Sequence, residues 1–289
     1  MNRIPESELI LNPDGSIYHL KLSPNDIGEI ILLVGDPGRV QQVSNHFQNI
    51  EVKVQNREFV TNTGFFNGKK ISVISTGIGT DNIDIVINEL DALVNIDLNK
   101  RVIKENHSSL QLVRIGTSGA LQEDIPVDSV VLSHYGMGFD GLLNFYEVGD
   151  EFEDDIMKAF IKQSNWKSTL NYPYVVKASS ELVSKLDKDV FTGITATACG
   201  FYGPQGRVLR LKPAVNDLNE QLTAFNYNGL RITNFEMETS ALYGLSKLLG
   251  HQAATVCAVI ANRLRKEYSK SYHKTVDDLI RQTLENLTK

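Results

Sequence analysis

The octet VRIGTSGA, at positions 113–120, decides how this chain reads. An apolar lead-in, Leu112-Val113, breaks into Gly116-Thr117-Ser118-Gly119. The pattern reads as a buried strand that ends near Arg114 and Ile115 and enters a loop of glycines and hydroxyls. In open α/β sheets, ligands bind beyond the carboxyl ends of the strands. Glycine lets a ligand approach the backbone, whose N–H groups can then face an anion. Arg114 adds a fixed positive charge, and Thr117 and Ser118 add hydroxyl donors. Two readings follow: an anion site, most naturally for phosphate, or a tight turn whose arginine sits in a structural ion pair. Short glycine-rich strings are common, so the octet alone favours the turn.

Two similar junctions lie upstream. The apolar run 29–34 (EIILLV) reads as a buried strand and stops at Gly35-Asp36-Pro37-Gly38-Arg39. Asp36 is a good N-cap and Pro37 a good first residue for a helix over 38–47. A strand, a glycine and a helix amino end make a second candidate anion site, with Arg39 in the first turn. Asp36 reads as a cap only, because a carboxylate should not touch a bound phosphate. Residues 50–66 alternate as two strands around Arg57-Glu58, and Asn67-Gly68 signals a hairpin. Strand 70–75 enters Thr76-Gly77-Ile78-Gly79-Thr80 ahead of a helix over 81–94. Asn82 stands where a dinucleotide fingerprint needs glycine, and no GxxxxGK[ST] occurs, so nucleotide-cofactor loops are disfavoured. The charged stretch 97–109 reads as a surface loop.

Downstream, strands are expected at 127–132, 174–178, 191–197, 230–235 and 252–260. Helices are expected at 152–164, 180–186 and 275–287, and from the NFEMETS stretch to 249. Residues 134–145 (HYGMGFDGLLNF) read as a glycine-rich loop over the sheet edge. In GFYGPQGRVLR, at 200–210, Phe201, Gln205 and Arg207 put a flat ring, an amide and a guanidinium in one loop, which suits a planar heterocycle. Glu236 and Glu238 flank Met237 at a strand-to-helix junction. They could take sugar hydroxyls or simply complement the helix dipole. A lone His19 defaults to a surface or interface histidine. No linker, repeat or low-complexity segment interrupts the strands and helices, so 1–289 reads as a single α/β domain.

Composition narrows the classes further. The 289 residues are 42% hydrophobic and 22% charged, with a net charge of -6. An acidic balance disfavours nucleic acid or an anionic membrane as partner, while a few arginines can still build a local positive pocket. Cys199 and Cys257 form no metal-ligand spacing and read as two buried, reduced thiols. No run has the length of a signal peptide or a membrane span, and the expected location is cytoplasmic.

Taken together, these stretches resemble the nucleoside phosphorylase family, and within it the uridine phosphorylases. The likeness runs in order through Tyr18-His19-Leu20, GDPGRV (35–40), NREF (56–59), STGIGT (75–80), RIGTSGA (114–120), FYGPQGR (201–207), NFEME (234–238) and VIANR (259–263). It implies a three-layer α/β/α sandwich with a mixed, partly barrel-like central sheet. It also implies a reaction, in which inorganic phosphate attacks C1′ of a nucleoside through an oxocarbenium-like state. The products are ribose 1-phosphate and the free base. No cofactor is implied; phosphate is the co-substrate.

The resemblance also assigns roles. Gly35, Arg39, Arg114 and Thr117 would hold phosphate, with Arg57 reaching in from a neighbouring subunit. Glu236, Met237 and Glu238 would hold the ribose, and the neighbour's His19 would bind its 5′-hydroxyl. Phe201, Gln205 and Arg207 would take the base, with Arg114, Arg207 and Glu238 as the catalytic set. The implied assembly is a homo-oligomer with a dimer as the active unit, alone or within a hexamer. Some relatives bind a monovalent cation between subunits. Glu58 and Ile78 match that set, while Asn82 replaces a serine.

The base branch rests on few residues. Purine-cleaving members usually carry an acid after the last strand, where this chain has Asn262, and Arg263 beside it would support Arg207. That favours uridine over purine nucleosides. This chain departs from the FYPGQER of some relatives by a Gly-Pro exchange and by Gly206 in place of the acid. The competing readings are a purine nucleoside phosphorylase, a hydrolytic nucleosidase and a nucleoside-binding protein. The last two leave the arginine set unexplained.

Overall fold

The computed structural model describes residues 3–289. The first half runs β1 (Ile30–Val34), α1 (Pro37–Ser44), β2 (Asn49–Asn56), β3 (Phe59–Phe66), β4 (Lys69–Ser75) and α2 (Thr80–Asn95). A small hairpin, β5 (Ile96–Asp97) and β6 (Val102–Ile103), precedes β7 (Gln111–Ala120) and β8 (Val130–Gly138). Next come α3 (Asp154–Ser164), β9 (Tyr174–Lys177), α4 (Ser180–Leu186) and β10 (Phe191–Thr197). The chain ends with α5 (Leu218–Ala224), β11 (Asn226–Tyr227), β12 (Leu230–Glu236), α6 (Thr239–Leu248), β13 (Gln252–Asn262), β14 (Glu267–Tyr268) and α7 (Tyr272–Leu287).

Five strands close a mixed barrel. β7 runs parallel to β13, β13 antiparallel to β8, β8 parallel to β10, β10 parallel to β12, and β12 antiparallel to β7. From β7 the sheet also continues outward through β1, β4, β3 and β2. The expected three-layer architecture with a partly barrel-like sheet is what the chain forms. In β1, Ile31 and Leu33 face a core shared with α2 and α6, while Ile30, Leu32 and Val34 face one shared with α1, α4 and α7. All five residues are buried, as a parallel strand covered on both faces requires.

Strand β7 positions the site. One edge pairs with β13 along its whole length. The other edge pairs with β1 over Gln111–Arg114 and with β12 only at Gly119 and Ala120. Between those pairings the sheet parts, and β1 and β12 both end there, at Val34 and Glu236.

Several expected boundaries need correction. The octet is not a loop, because β7 runs through its glycines, held by β13. Gly116 packs closely there, since a Cβ would lie 3.0 Å from the Cys257 sulfur and would press on that side chain. The expected loop 134–145 is strand as far as Gly138, because β8 is flanked there by β10 and β9. The helix expected over 38–47 stops at Ser44. The surface stretch 97–109 contains the β5–β6 hairpin. Of the cysteines, Cys257 is buried but Cys199 is exposed.

Candidate active site

A cavity of about 1000 Å³ opens where the sheet parts. Its floor is the carboxyl end of β1 and the middle of β7, which contribute Gly35, Arg114 and Thr117. Arg39, from the first turn of α1, reaches the same wall and donates to the Ile115 carbonyl at 3.2 Å. Asp36 caps α1, accepting from the Gly38 N–H at 2.8 Å, as its sequence position predicts. Burial, and then the Arg114 charge, push the Arg39 guanidinium below its ordinary range. Arg39 thus keeps a buried charge on the same cavity wall as the Arg114 cation, and an anion accepted there would relieve Arg39.

Arg114 also satisfies the second reading of the octet. Its Nη2 donates to Glu238 Oε2 at 2.5 Å, and its Nε lies 3.6 Å from Glu236 Oε2. These carboxylates outweigh burial and hold the guanidinium above its ordinary range. Nη1 is buried with no partner among the described residues. The ion pair therefore uses one nitrogen of Arg114 and leaves Nη1 without a partner among the described residues.

The two glutamates sit at the turn from β12 into α6. Glu238 Oε1 accepts from the Gly79 N–H at 2.7 Å, placing a carboxylate at the amino end of α2. Glu236 accepts from the Thr197 hydroxyl at 2.7 Å and from the backbone N–H groups of Glu238 and Thr239, both at 2.9 Å. Burial and the adjacent Glu238 charge push its carboxyl up to about 7, against the pull of Arg114. Met237 lies between them on the cavity wall.

The loop after β10 forms the opposite wall. Gln205 is buried, and Arg207 Nη1 donates both to its Oε1 and to the Phe201 carbonyl at 2.5 Å. The Arg207 guanidinium lies 3.6 Å from the centre of the Phe201 ring. Burial and the charge of Arg263 hold Arg207 down near about 10. Arg263 donates to the Gln205 backbone carbonyl at 2.5 Å and so fixes the loop that carries Arg207. Asn262 lines the cavity, yet its side chain is committed elsewhere. Its Nδ2 donates to the carbonyls of Gln122 and Ile125, and its Oδ1 accepts from the Arg265 N–H.

Glu58, Ile78 and Asn82 lie together on the cavity rim around Gly77. Two expected residues lie apart. Arg57 and His19 do not line the cavity; they flank Tyr18, with Arg57 over its ring at 5.7 Å. His19 Nδ1 is 2.6 Å from Glu89 Oε1. Sequence reasoning missed Thr197, which orients Glu236, and Gly79, which orients Glu238. A threonine ending a strand gave no signal of its own. The GIGT turn carries a glycine signal, but it reads as a nucleotide loop, which Asn82 disfavours, and not as a partner for a carboxylate.

The phosphorylase superfamily profile matches residues 29–289. A uridine phosphorylase of Thermococcus kodakarensis is 30% identical over 264 residues, covering 90% of this chain and 83% of that protein. A purine nucleoside phosphorylase of the DeoD type from Buchnera aphidicola is 26% identical over 275 residues, covering 94% of this chain and 99% of that protein. A Trypanosoma brucei nucleoside phosphorylase, described as showing uridine phosphorylase activity, superposes with a TM-score of 0.87 at 29% identity, covering 96% of this chain and 99% of that one. The chain belongs to the phosphorylase superfamily and has the nucleoside phosphorylase fold.

Proposed function

We propose that this protein is a uridine phosphorylase, which converts uridine and inorganic phosphate reversibly to uracil and ribose 1-phosphate. The observation that carries the phosphate half is that Arg39 and Arg114 line one cavity together with Gly35 and Thr117, at the end of β1. A phosphate dianion accepts charge-assisted hydrogen bonds from both arginines, with the Gly35 N–H and the Thr117 hydroxyl completing the cradle. A phosphate oxygen forms a bond to C1′ while the bond from C1′ to the pyrimidine nitrogen breaks, and its electrons leave with the base. Glu238 holds ribose hydroxyls beside Glu236 and Met237. Arg207 donates to the departing pyrimidine and stabilises its charge. Positioning and electrostatics carry the catalysis, with no covalent nucleophile.

The uridine assignment rests on Gln205, Arg207 and Asn262. A buried amide next to a guanidinium matches the carbonyl and N–H edge of uracil. Asn262 cannot protonate a purine, and its amide is already committed to backbone groups. The likeness to purine nucleoside phosphorylases at 26% identity supports a second reading, cleavage of purine nucleosides in the same cavity. Steady-state kinetics with uridine and inosine separate the two. The proposal expects kcat/KM for uridine to exceed that for inosine; the reverse order would replace it.

The same reading makes the active unit a homo-oligomer of cytoplasmic subunits. His19 and Arg57, which lie outside their own cavity, complete a neighbour's. Glu58, the Ile78 carbonyl and the Asn82 amide oxygen offer three oxygens to a monovalent cation at that boundary.

A further inference from the structure

A second cavity, of about 770 Å³, lies behind the loop that walls the first. Arg207 borders both cavities. The second is walled by aromatic rings from three segments, Phe139, Trp166 and Tyr202. Trp166 stacks on Phe139 with centroids 4.9 Å apart and planes 23° from parallel, which leaves a broad, flat apolar wall. The strap after the loop brings Leu209 and Leu211, which are 76% and 82% exposed. It also brings Arg210 and Lys212, both exposed. Among the described residues lining the cavity there is no carboxylate, although the chain carries a net charge of -6. Concave apolar walls with a few convergent charges of one sign are the form of a small-molecule site.

We propose that this second cavity binds a small aromatic anion, a ring system bearing one carboxylate or sulfonate. The ring lies against Trp166 and Phe139, and the anion meets Arg210 and Lys212. Aromatic faces and guanidinium or ammonium groups recognise the two halves of such a molecule separately. This inference does not depend on which nucleoside the first cavity cleaves.

Trp166 is the chain's single tryptophan, so tryptophan emission, excited on the red edge where the ten tyrosines do not absorb, reports on this cavity. The probe is 4-iodobenzoate, whose heavy atom quenches tryptophan on contact, with 4-iodobenzyl alcohol as the neutral control. Saturable quenching by the carboxylate is expected, with weaker binding of the alcohol. The double variant R210S/K212S should weaken the carboxylate about tenfold while leaving the alcohol unchanged. Both positions are exposed, so the fold should survive, and far-ultraviolet circular dichroism confirms it. Quenching that rises linearly without saturation, quenching equal for acid and alcohol, or quenching untouched by the double substitution would each overturn the proposal.

Discussion

At the residue scale, Arg114 forms the ion pair that the octet offered as one of two readings, and the proposed function gives it the phosphate role as well. The octet announced a fixed cation near glycine, but could not announce its partners, because Glu236 and Glu238 are more than a hundred positions away. The pairing predicts how substitutions divide. Arg39→Ala should raise the KM for phosphate at least about tenfold and leave the KM for nucleoside nearly unchanged, since it removes charge-assisted hydrogen bonds to one substrate only. Arg114→Ala should also destabilise the protein, by about 3–5 kcal/mol in urea unfolding, because it strands two buried carboxylates. Glu236 adds a pH signature. Its carboxyl titrates near about 7 in the folded protein, against an ordinary 4.5. Between those values the folded state holds a proton that the unfolded chain has lost. The stabilisation is therefore full below 4.5 and is lost as pH rises through 7. The thermal midpoint should fall over that window, and Glu236→Gln should flatten the slope whatever it does to the absolute midpoint. Arg57 holds a left-handed φ of 54° at the β2–β3 turn, a conformation unusual for a bulky side chain. Strain of that kind is tolerated where a side chain must be aimed, as the proposed contribution of Arg57 to a neighbour's site would require.

At the scale of elements, the apolar runs and turn signals were legible, because burial on both faces of a parallel strand leaves a continuous apolar stretch. Strand ends inside the barrel were not. Glycine and hydroxyl residues at 116–119 and 134–138 read as loop by local propensity, yet their neighbours on β13, β10 and β9 keep them in the sheet. Gly136 shows why small residues are needed there. A Cβ would lie 2.8 Å from the Ser240 Cα, in the backbone of α6. Gly136→Ala should push α6 off β8, cost about 1–3 kcal/mol in urea unfolding and lower kcat by moving Glu238. The structural work of Asn262, whose amide holds two backbone carbonyls, was invisible in sequence. Asn262→Asp removes a donor shared by two buried carbonyls. It should destabilise the protein by about 1–3 kcal/mol without creating purine cleavage, as inosine kinetics would show.

At the scale of the whole molecule, the fold follows from one parting in the sheet. Because β7 changes partner from β1 to β12, Arg39, Arg114 and the two glutamates line one cavity although they are far apart in sequence. Motif order made the architecture legible as a resemblance; the closure of the barrel, which rests on long-range pairings, was not. His19 and Arg57 belong to this scale too. If they complete a neighbour's site, an equimolar mixture of Arg57→Ala and Arg114→Ala subunits, unfolded and refolded together, should regain up to about a quarter of wild-type activity, through hybrid dimers with one intact site. No recovery would confine each site to one chain. The most direct test of the whole account is uridine consumption with and without inorganic phosphate, with ribose 1-phosphate assayed as product. The account predicts loss of uridine only when phosphate is present, with one ribose 1-phosphate formed per uracil. Equal loss without phosphate, with free ribose as product, would contradict it and leave the pairing of Arg39 with Arg114 unexplained.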